Sequence, residues 1–215
     1  MKYNLQEKKW SSKFGEDYIK RNSFTLKNFN DSYSKHLGTT RVALNREFLG
    51  KLDRNIRILE VGTNIGLQLF LLKKMGFKNL YGIEINKKAI NIAKTSLKDV
   101  NIIYGLAGDI PFKDDFFDLV FTSGVLIHIS PKNINKVMTE MHRCTKRYIW
   151  GFEYFAEKYT NINYRGNNNL LWKANFCELF KESFDDLSIV KTKKIKRVNS
   201  DELDMMYLIK KIKHK

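Results

Sequence analysis

Short apolar runs alternate with amphipathic stretches along the middle of the chain, and that rhythm predicts its elements. "RILEV" (57–61) reads as a buried strand, and "IGLQLFLLKKM" sets Ile65, Leu69 and Leu72 at helical spacing until Gly76 stops it. "NLYGIEI" (79–85) is a second strand, "KKAINIAKTSL" a helix with Ala89, Ile90, Ala93 and Leu97 on one face, and "NIIYGLA" (101–107) a third strand. The unit then recurs. "FFDLVFTS" (116–123) is a fourth strand, a helix opened by Pro131 runs through Met138 and Met141, and "RYIWGFEY" (147–154) is a fifth strand. Strands alternating with helices in this way pair in parallel, because a parallel connection needs a crossover, and the crossovers cover both faces of the sheet.

The last third breaks the rhythm. "NYRGNNN" (163–169) predicts a loop, "LLWKANFCELFKESF" (170–184) a helix, and "LSIVKTKKIK" (187–196) with "DMMYLIKKIK" (204–213) an antiparallel pair closing the same sheet. The expectation is an α/β fold: a seven-stranded, mostly parallel sheet with an antiparallel C-terminal strand and helices on both faces. Residues 1–50 form a helical extension or lid and residues 51–215 the sheet domain, in one compact domain overall.

Composition narrows the class. With 215 residues and 43% hydrophobic content the chain can bury a substantial core. It has no 18-residue apolar run, and "MKYNLQEKKWSSKFG" is followed by no apolar segment, so neither a membrane span nor a secretory signal is expected and the cytoplasm is the default. Cys144 and Cys177 sit in no CxxC or Cys/His spacing, which predicts reduced thiols and no metal site. A formal net charge of +16 favours anionic partners, nucleic acid, acidic lipid or phosphorylated small molecules among them, though drift toward Lys and Asn would also produce it. The densest basic run, "KTKKIKR" (191–197), alternates as a solvated strand does.

Chemistry concentrates at the strand ends. Gly62-Thr63-Asn64-Ile65-Gly66 follows the first strand, where open α/β sheets bind ligands outside the carboxyl ends of their strands. A dinucleotide loop would read Gly-x-Gly-x-x-Gly, bringing amides onto a pyrophosphate. Here only the outer pair of a shorter pattern is present, and Glu60 precedes it. A carboxylate there opposes a pyrophosphate but attracts a sulfonium or ammonium group, and S-adenosylmethionine carries both. Glu84 ends the second strand 22 residues after Gly62, where it can accept from both ribose hydroxyls. Asp109, after the third strand, can accept from the adenine amino group, with Ile85 and Ile110 sandwiching the purine and Ser123 at the end of the fourth strand.

Through "EVGTNIG", "GIEI", "AGDI" and "FDLVFTSGVLIHI" the chain resembles the class I S-adenosylmethionine-dependent methyltransferases over about residues 55–155, which implies a Rossmann-like fold and that cofactor. The departure is Asn64, at the central glycine of the E/D-x-G-x-G-x-G pattern, although Asn tolerates left-handed backbone angles better than most residues. More narrowly, "WSSKFGEDYIKRN", "GVLIHISP", "HRCTKRYI", "EY" at 153–154 and "YRGNNNLLWKANF" resemble the methylases associated with pseudaminic acid biosynthesis. That resemblance implies a cytoplasmic enzyme of nonulosonic acid or surface-glycan metabolism.

Methyl transfer from a sulfonium is an in-line displacement, so the protein must align the acceptor and, for a hydroxyl or ammonium, remove a proton. His128, just past the fourth strand, is the candidate base, with Glu153 and Tyr154 at the end of the fifth strand as further catalytic candidates. The alternatives are a histidine bonded to backbone and a capping or paired Glu153. Tyr18, Arg21 and Asn22 on the N-terminal lid, and Tyr164, Arg165 and Lys173 before the last helix, are candidate contacts to a small-molecule or sugar acceptor of negative charge. A base-amine methylase would carry Pro-Pro-aromatic where this chain has "TSGV", and neither cysteine follows Pro as a base-carbon methylase requires, so nucleic acid is the lesser expectation. A non-catalytic cofactor-binding module is the other alternative.

Overall fold

Four helices lead the chain: α1 (Leu5–Trp10), α2 (Lys13–Arg21), α3 (Leu26–Leu37) and α4 (Arg41–Leu49). Their starts follow from local chemistry. At α1 the Glu7 amide donates to Asn4 Oδ1 at 2.9 Å and the Asn4 amide to Glu7 Oε2 at 2.8 Å, a reciprocal capping box. At α4 Thr40 Oγ1 accepts the Ala43 amide at 3.0 Å. The computed structural model describes residues 3–22 and 26–212, and residues 1–106 make the first of two compact units. In this unit β1 (Arg57–Val61), β2 (Asn79–Glu84) and β3 (Asn101–Tyr104) pair in parallel, connected by α5 (Leu67–Lys74) and α6 (Lys87–Ser96). Ile58, Leu59 and Val61 of β1 are fully buried, which is why "RILEV" reads as a continuous apolar run rather than an alternation. β3 stops at Tyr104, short of the predicted residue 107, because β2 offers no partner beyond Glu84.

The second unit, residues 107–215, holds β4 (Phe117–Ser123), a 3-10 turn (Leu126–His128), α7 (Ile134–Cys144) and β5 (Thr145–Phe155), then β6 (Thr160–Tyr164), β7 (Asn167–Lys173), α8 (Phe176–Ser183), β8 (Leu187–Lys196) and β9 (Leu203–Lys211). β4 and β5 are parallel, whereas β9 runs antiparallel to both β5 and β8. Seven strands hydrogen-bond in the order β3-β2-β1-β4-β5-β9-β8, the mostly parallel, helix-flanked sheet that the sequence predicts, and β6 and β7 form a two-stranded sheet of their own.

Three expectations for this unit fail. "NYRGNNN" is a hairpin, not a loop: Arg165 and Gly166 take φ of 51° and 73°, the paired positive angles of a turn whose twist suits two antiparallel strands. "LLWK" is the end of β7, with Leu170, Leu171 and Trp172 buried, and the helix begins only at Phe176, where Asn175 Oδ1 caps the Glu178 amide at 3.2 Å. Likewise Pro131 stands in a turn ahead of α7, whose first residue is Ile134. The run "KTKKIKR" lies on β8 at the edge of the sheet up to Lys196, with Arg197 just beyond it. Lys on an exposed edge strand blocks pairing with another chain, and this one accounts for part of the positive charge. Among the described residues no helix is long and apolar enough to cross a membrane, no group of three potential metal ligands occurs, and Cys144 and Cys177 are buried free thiols.

Candidate cofactor and active site

In the first unit the turn after β1 is held from below. The Gly62 and Thr63 amides donate to Ile83 O at 2.9 and 3.0 Å, and Gly66 N–H to Thr63 O at 2.9 Å. Gly62, Asn64 and Gly66 all take positive φ, at 73°, 49° and 82°, so the backbone has the left-handed shape of a glycine loop although its central residue is Asn. A side chain at Gly66 would be strained by the φ of 82°, and its Cβ would also displace Leu97 Cδ1, 2.5 Å away. Gly82, the register partner of Glu60 on β2, is small for a packing reason: a Cβ there would press on Thr63 and Leu69.

Two carboxylates organise this turn. Glu60, 3% exposed, accepts from Thr63 Oγ1 at 2.7 Å and from the Leu69 amide in the first turn of α5, and burial raises its pKa to about 8. It therefore acts first as the cap that the Gly66 N-cap lacks. Glu84 Oε1 accepts the Ile85 and Asn86 amides at 2.9 and 2.8 Å, and Oε2 accepts the Asn64 amide at 2.8 Å; burial raises its pKa too. A carboxylate has about four acceptor positions, so Glu84 has room for one ligand hydroxyl while it holds the loop. Asn64 Oδ1 is buried without a hydrogen-bond partner. Asn64 Oδ1 and Glu84 Oε2 offer acceptors to a hydroxyl-bearing ligand such as S-adenosylmethionine, beside the buried Glu60 side chain. Ile85 is partly exposed and has a face to offer a ring.

Sequence reasoning missed the support behind Glu60. Arg41, 0% exposed on α4, lowers the Glu60 pKa by its charge and lies 5.5 Å from the Tyr33 ring centroid. One turn on, Asn45 Nδ2 donates to Gln68 Oε1 at 3.2 Å, in the first turn of α5. Arg-x-x-x-Asn at a helix start reads as a polar face, and only the fold reveals that the face is buried. Of the lid candidates, Tyr18 packs edge-on to Trp10 at 5.2 Å, Asn22 Nδ2 donates to Tyr18 O at 2.9 Å, and Arg21 is exposed.

The second unit holds the remaining candidates. Asp109 is exposed, while Ile110 is 2% exposed with its amide donating to Glu140 Oε2 at 2.8 Å; Ser123, ending β4, is half-buried. His128 is buried in the 3-10 turn, its Nδ1 2.7 Å from Leu170 O and therefore the donor there, which leaves Nε2 as the acceptor. Burial lowers its pKa to about 4, well below the near-neutral value expected of an exposed imidazole. Tyr164, on β6, brings its ring to 5.5 Å from the His128 ring. Glu153, 1% exposed, accepts amides of the same turn, from Val125 at 3.2 Å and Ile127 at 3.4 Å, and burial raises its pKa to about 7. Tyr154 is covered by the Arg197 guanidinium, 4.1 Å from its ring centroid, and Arg197 is tied to Asp204 at 2.7 Å. Lys173 pairs with Glu202, and Arg165 is exposed at the hairpin tip. The fold thus brings together His128 with Tyr164 and Tyr154 with Arg197, a partner that the basic run concealed.

Residues 59–148 match the family of methyltransferase domains. Phosphoethanolamine N-methyltransferase of Plasmodium falciparum is 22% identical over 157 residues, which span 63% of this chain and 59% of that protein. The chain therefore covers about three-fifths of that relative's length. Among solved structures, a protein of Pyrococcus horikoshii OT3 superimposes with a TM-score of 0.62 at 16% identity, covering 98% of this chain and all of that one. The [4+2]-cyclase SpnF gives 0.64 at 15% identity over 80% of each chain. At such identities the structures establish the fold. Residues 59–148 are thus similar to methyltransferase domains, on a fold that these solved structures share.

Proposed function

We propose that the protein transfers a methyl group from S-adenosylmethionine to a small or glycan-linked acceptor of negative charge, a nonulosonic acid or nucleotide sugar in the class to which its sequence resemblance points. The observation that carries the reading is the loop of Gly62, Asn64 and Gly66 at positive φ, tied by the Asn64 amide to Glu84 and capped by Glu60. When bound, the cofactor supplies a methyl group already activated for in-line transfer. Glu60 and Asn64 would hold its charged end and Glu84 a ribose hydroxyl, with Ile85 against the purine. Asp109, Ile110 and Ser123 are assigned to the adenine side by their places after β3 and β4.

His128 takes the part of the base. Its fixed tautomer presents Nε2 as an acceptor at every pH above about 4. Glu153 shapes the turn that carries it, and Tyr154, Tyr164, Arg165 and Lys173 surround the acceptor. Residues 1–50, through Tyr18, Arg21 and Asn22, serve as a lid. We place the enzyme in the cytoplasm, in keeping with its two buried thiols. The Plasmodium relative supports a second acceptor chemistry, the amine of a phosphate monoester. The test is incubation with labelled methyl donor and separate pools of nucleotide sugars, glycans, phosphoamines and RNA. Label in the sugar or glycan pools supports the proposal, label in phosphoamines the second reading and label in RNA the nucleic-acid alternative. Cofactor binding without transfer to any pool leaves a binding module.

A further inference from the structure

Between β3 and β4 the chain has almost no regular structure, yet one ion pair on α7 grips its backbone. Glu140 and Arg143 stand one turn apart, with Arg143 Nε 2.8 Å from Glu140 Oε1 and Nη2 2.8 Å from Oε2. Glu140 Oε2 also accepts the Ile110 amide at 2.8 Å, and Arg143 Nη2 donates to Ile110 O at 3.0 Å. Both polar groups of the Ile110 backbone are thus held by the same pair. Arg143 Nη1 donates to Phe112 O at 2.8 Å and to Asp114 Oδ1 at 2.7 Å. All five guanidinium N–H donors are therefore used, three on carboxylates and two on the loop's carbonyls.

Magnitudes separate this arrangement from an ordinary helix-surface pair. An exposed i,i+3 ion pair adds little to stability, whereas a hydrogen bond from a charged group to a backbone partner is among the stronger polar contacts in a folded chain. Three such bonds fall on Ile110 and Phe112, beside Asp109, whose carboxylate is exposed. The load on the pair is the loop, not the helix.

We infer that Arg143 and Glu140 are positioning residues for cofactor recognition: by fixing the Ile110 backbone they hold Asp109 where its carboxylate discriminates a 6-amino purine from a 6-oxo purine. This rests on the assignment of Asp109 to the adenine amino group in the proposed function. A lysine offers a point charge and cannot make the forked contacts, so Arg143→Lys keeps the charge and loses the geometry.

The test is calorimetric binding of S-adenosylhomocysteine and of its hypoxanthine counterpart, which needs no turnover. Wild type is expected to prefer the adenine ligand by at least about tenfold, the scale of one well-made polar contact. Asp109→Asn should abolish the preference. Arg143→Lys should reduce it by most of that factor, mainly by weakening the adenine ligand, while circular dichroism shows a folded chain. Glu140→Gln, which keeps an acceptor for the Ile110 amide, should fall between the two and serves if Arg143→Lys does not fold. If both clasp variants weaken the two ligands equally, or neither, the pair only stabilises the fold and the inference is overturned. If Asp109→Asn retains the preference, the assignment of Asp109 itself fails, and with it the ground of the inference.

Discussion

Replacing His128 with Asn separates proton chemistry from packing. In the folded chain, burial lowers the imidazole pKa to about 4, against the opposing hydrogen bond to Leu170 O, from about 6.5 when unfolded. Between those values the unfolded chain holds a proton that the folded chain does not, so stability rises with pH across that window and is lost as pH falls from 6.5 toward 4. At about 1.4 kcal/mol per unit the full window is worth about 3 kcal/mol. Glu60 and Glu153 have the opposite sign: with folded pKa values raised to about 8 and about 7, each erodes stability as pH rises from its unfolded value. The total stability curve is therefore a compromise, and only the difference between wild type and His128→Asn reports on the ring. In urea unfolding at several pH values, wild type should exceed the variant most above pH 6.5, and the gap should shrink by about 3 kcal/mol toward pH 4. A gap constant across the window would refute the buried, neutral histidine. The same pKa makes a kinetic claim: with His128 as base, the acid limb of kcat/KM should lie near pH 4, not 6.5.

The remaining predictions concern the cofactor loop. Glu84→Ala leaves the Asn64, Ile85 and Asn86 amides without their acceptor and should weaken S-adenosylhomocysteine binding about a hundredfold, measured by calorimetry; an unchanged Kd would show that the carboxylate serves only the loop. Asn64→Gly should leave thermal stability nearly unchanged because φ of 49° suits glycine, while Asn64→Val should cost about 1–2 kcal/mol or more in urea unfolding. Glu60→Gln removes an acid held protonated by burial up to about pH 8. Wild type should lose about 1.4 kcal/mol per pH unit relative to this variant between about pH 4.5 and 8, read from paired denaturation curves.

Much of the first unit was legible because its elements are locally consistent. "RILEV" buries all but its first side chain, "NLYGIE" buries Leu80, Ile83 and Glu84, and glycines end their connections. The β6–β7 hairpin was not legible. Its strands are Asn-rich and half-exposed, and Arg-Gly is a poor signal for a turn with two positive φ angles. The start of α8 could have been found, since Asn175 and Glu178 have the spacing of a capped helix start. At the candidate site the loop acids were visible as residue types at strand ends, but their duties were not. Glu60 spends its oxygens on Thr63 and Leu69, and Glu153 on the turn before His128. No pattern along a sequence states which acceptors a backbone has already claimed.

That distinction bears on function more than on fold. A [4+2]-cyclase shares this architecture, so the reaction is set not by the sheet but by what each polar group has left to offer. Glu84 retains one acceptor position, Asn64 Oδ1 is buried and unpaired, and His128 holds its tautomer by the Nδ1 bond to Leu170 O. Acceptors are what a charged, hydroxyl-bearing donor and a proton-losing acceptor require. Part of the excess of positive charge lies on β8, where Lys guards the exposed edge of the sheet. A salt titration of turnover follows from this: acceptor KM should rise only modestly with ionic strength if the anion meets one or two cations, and steeply if a basic surface carries a nucleic acid, where the slope grows with each phosphate contact.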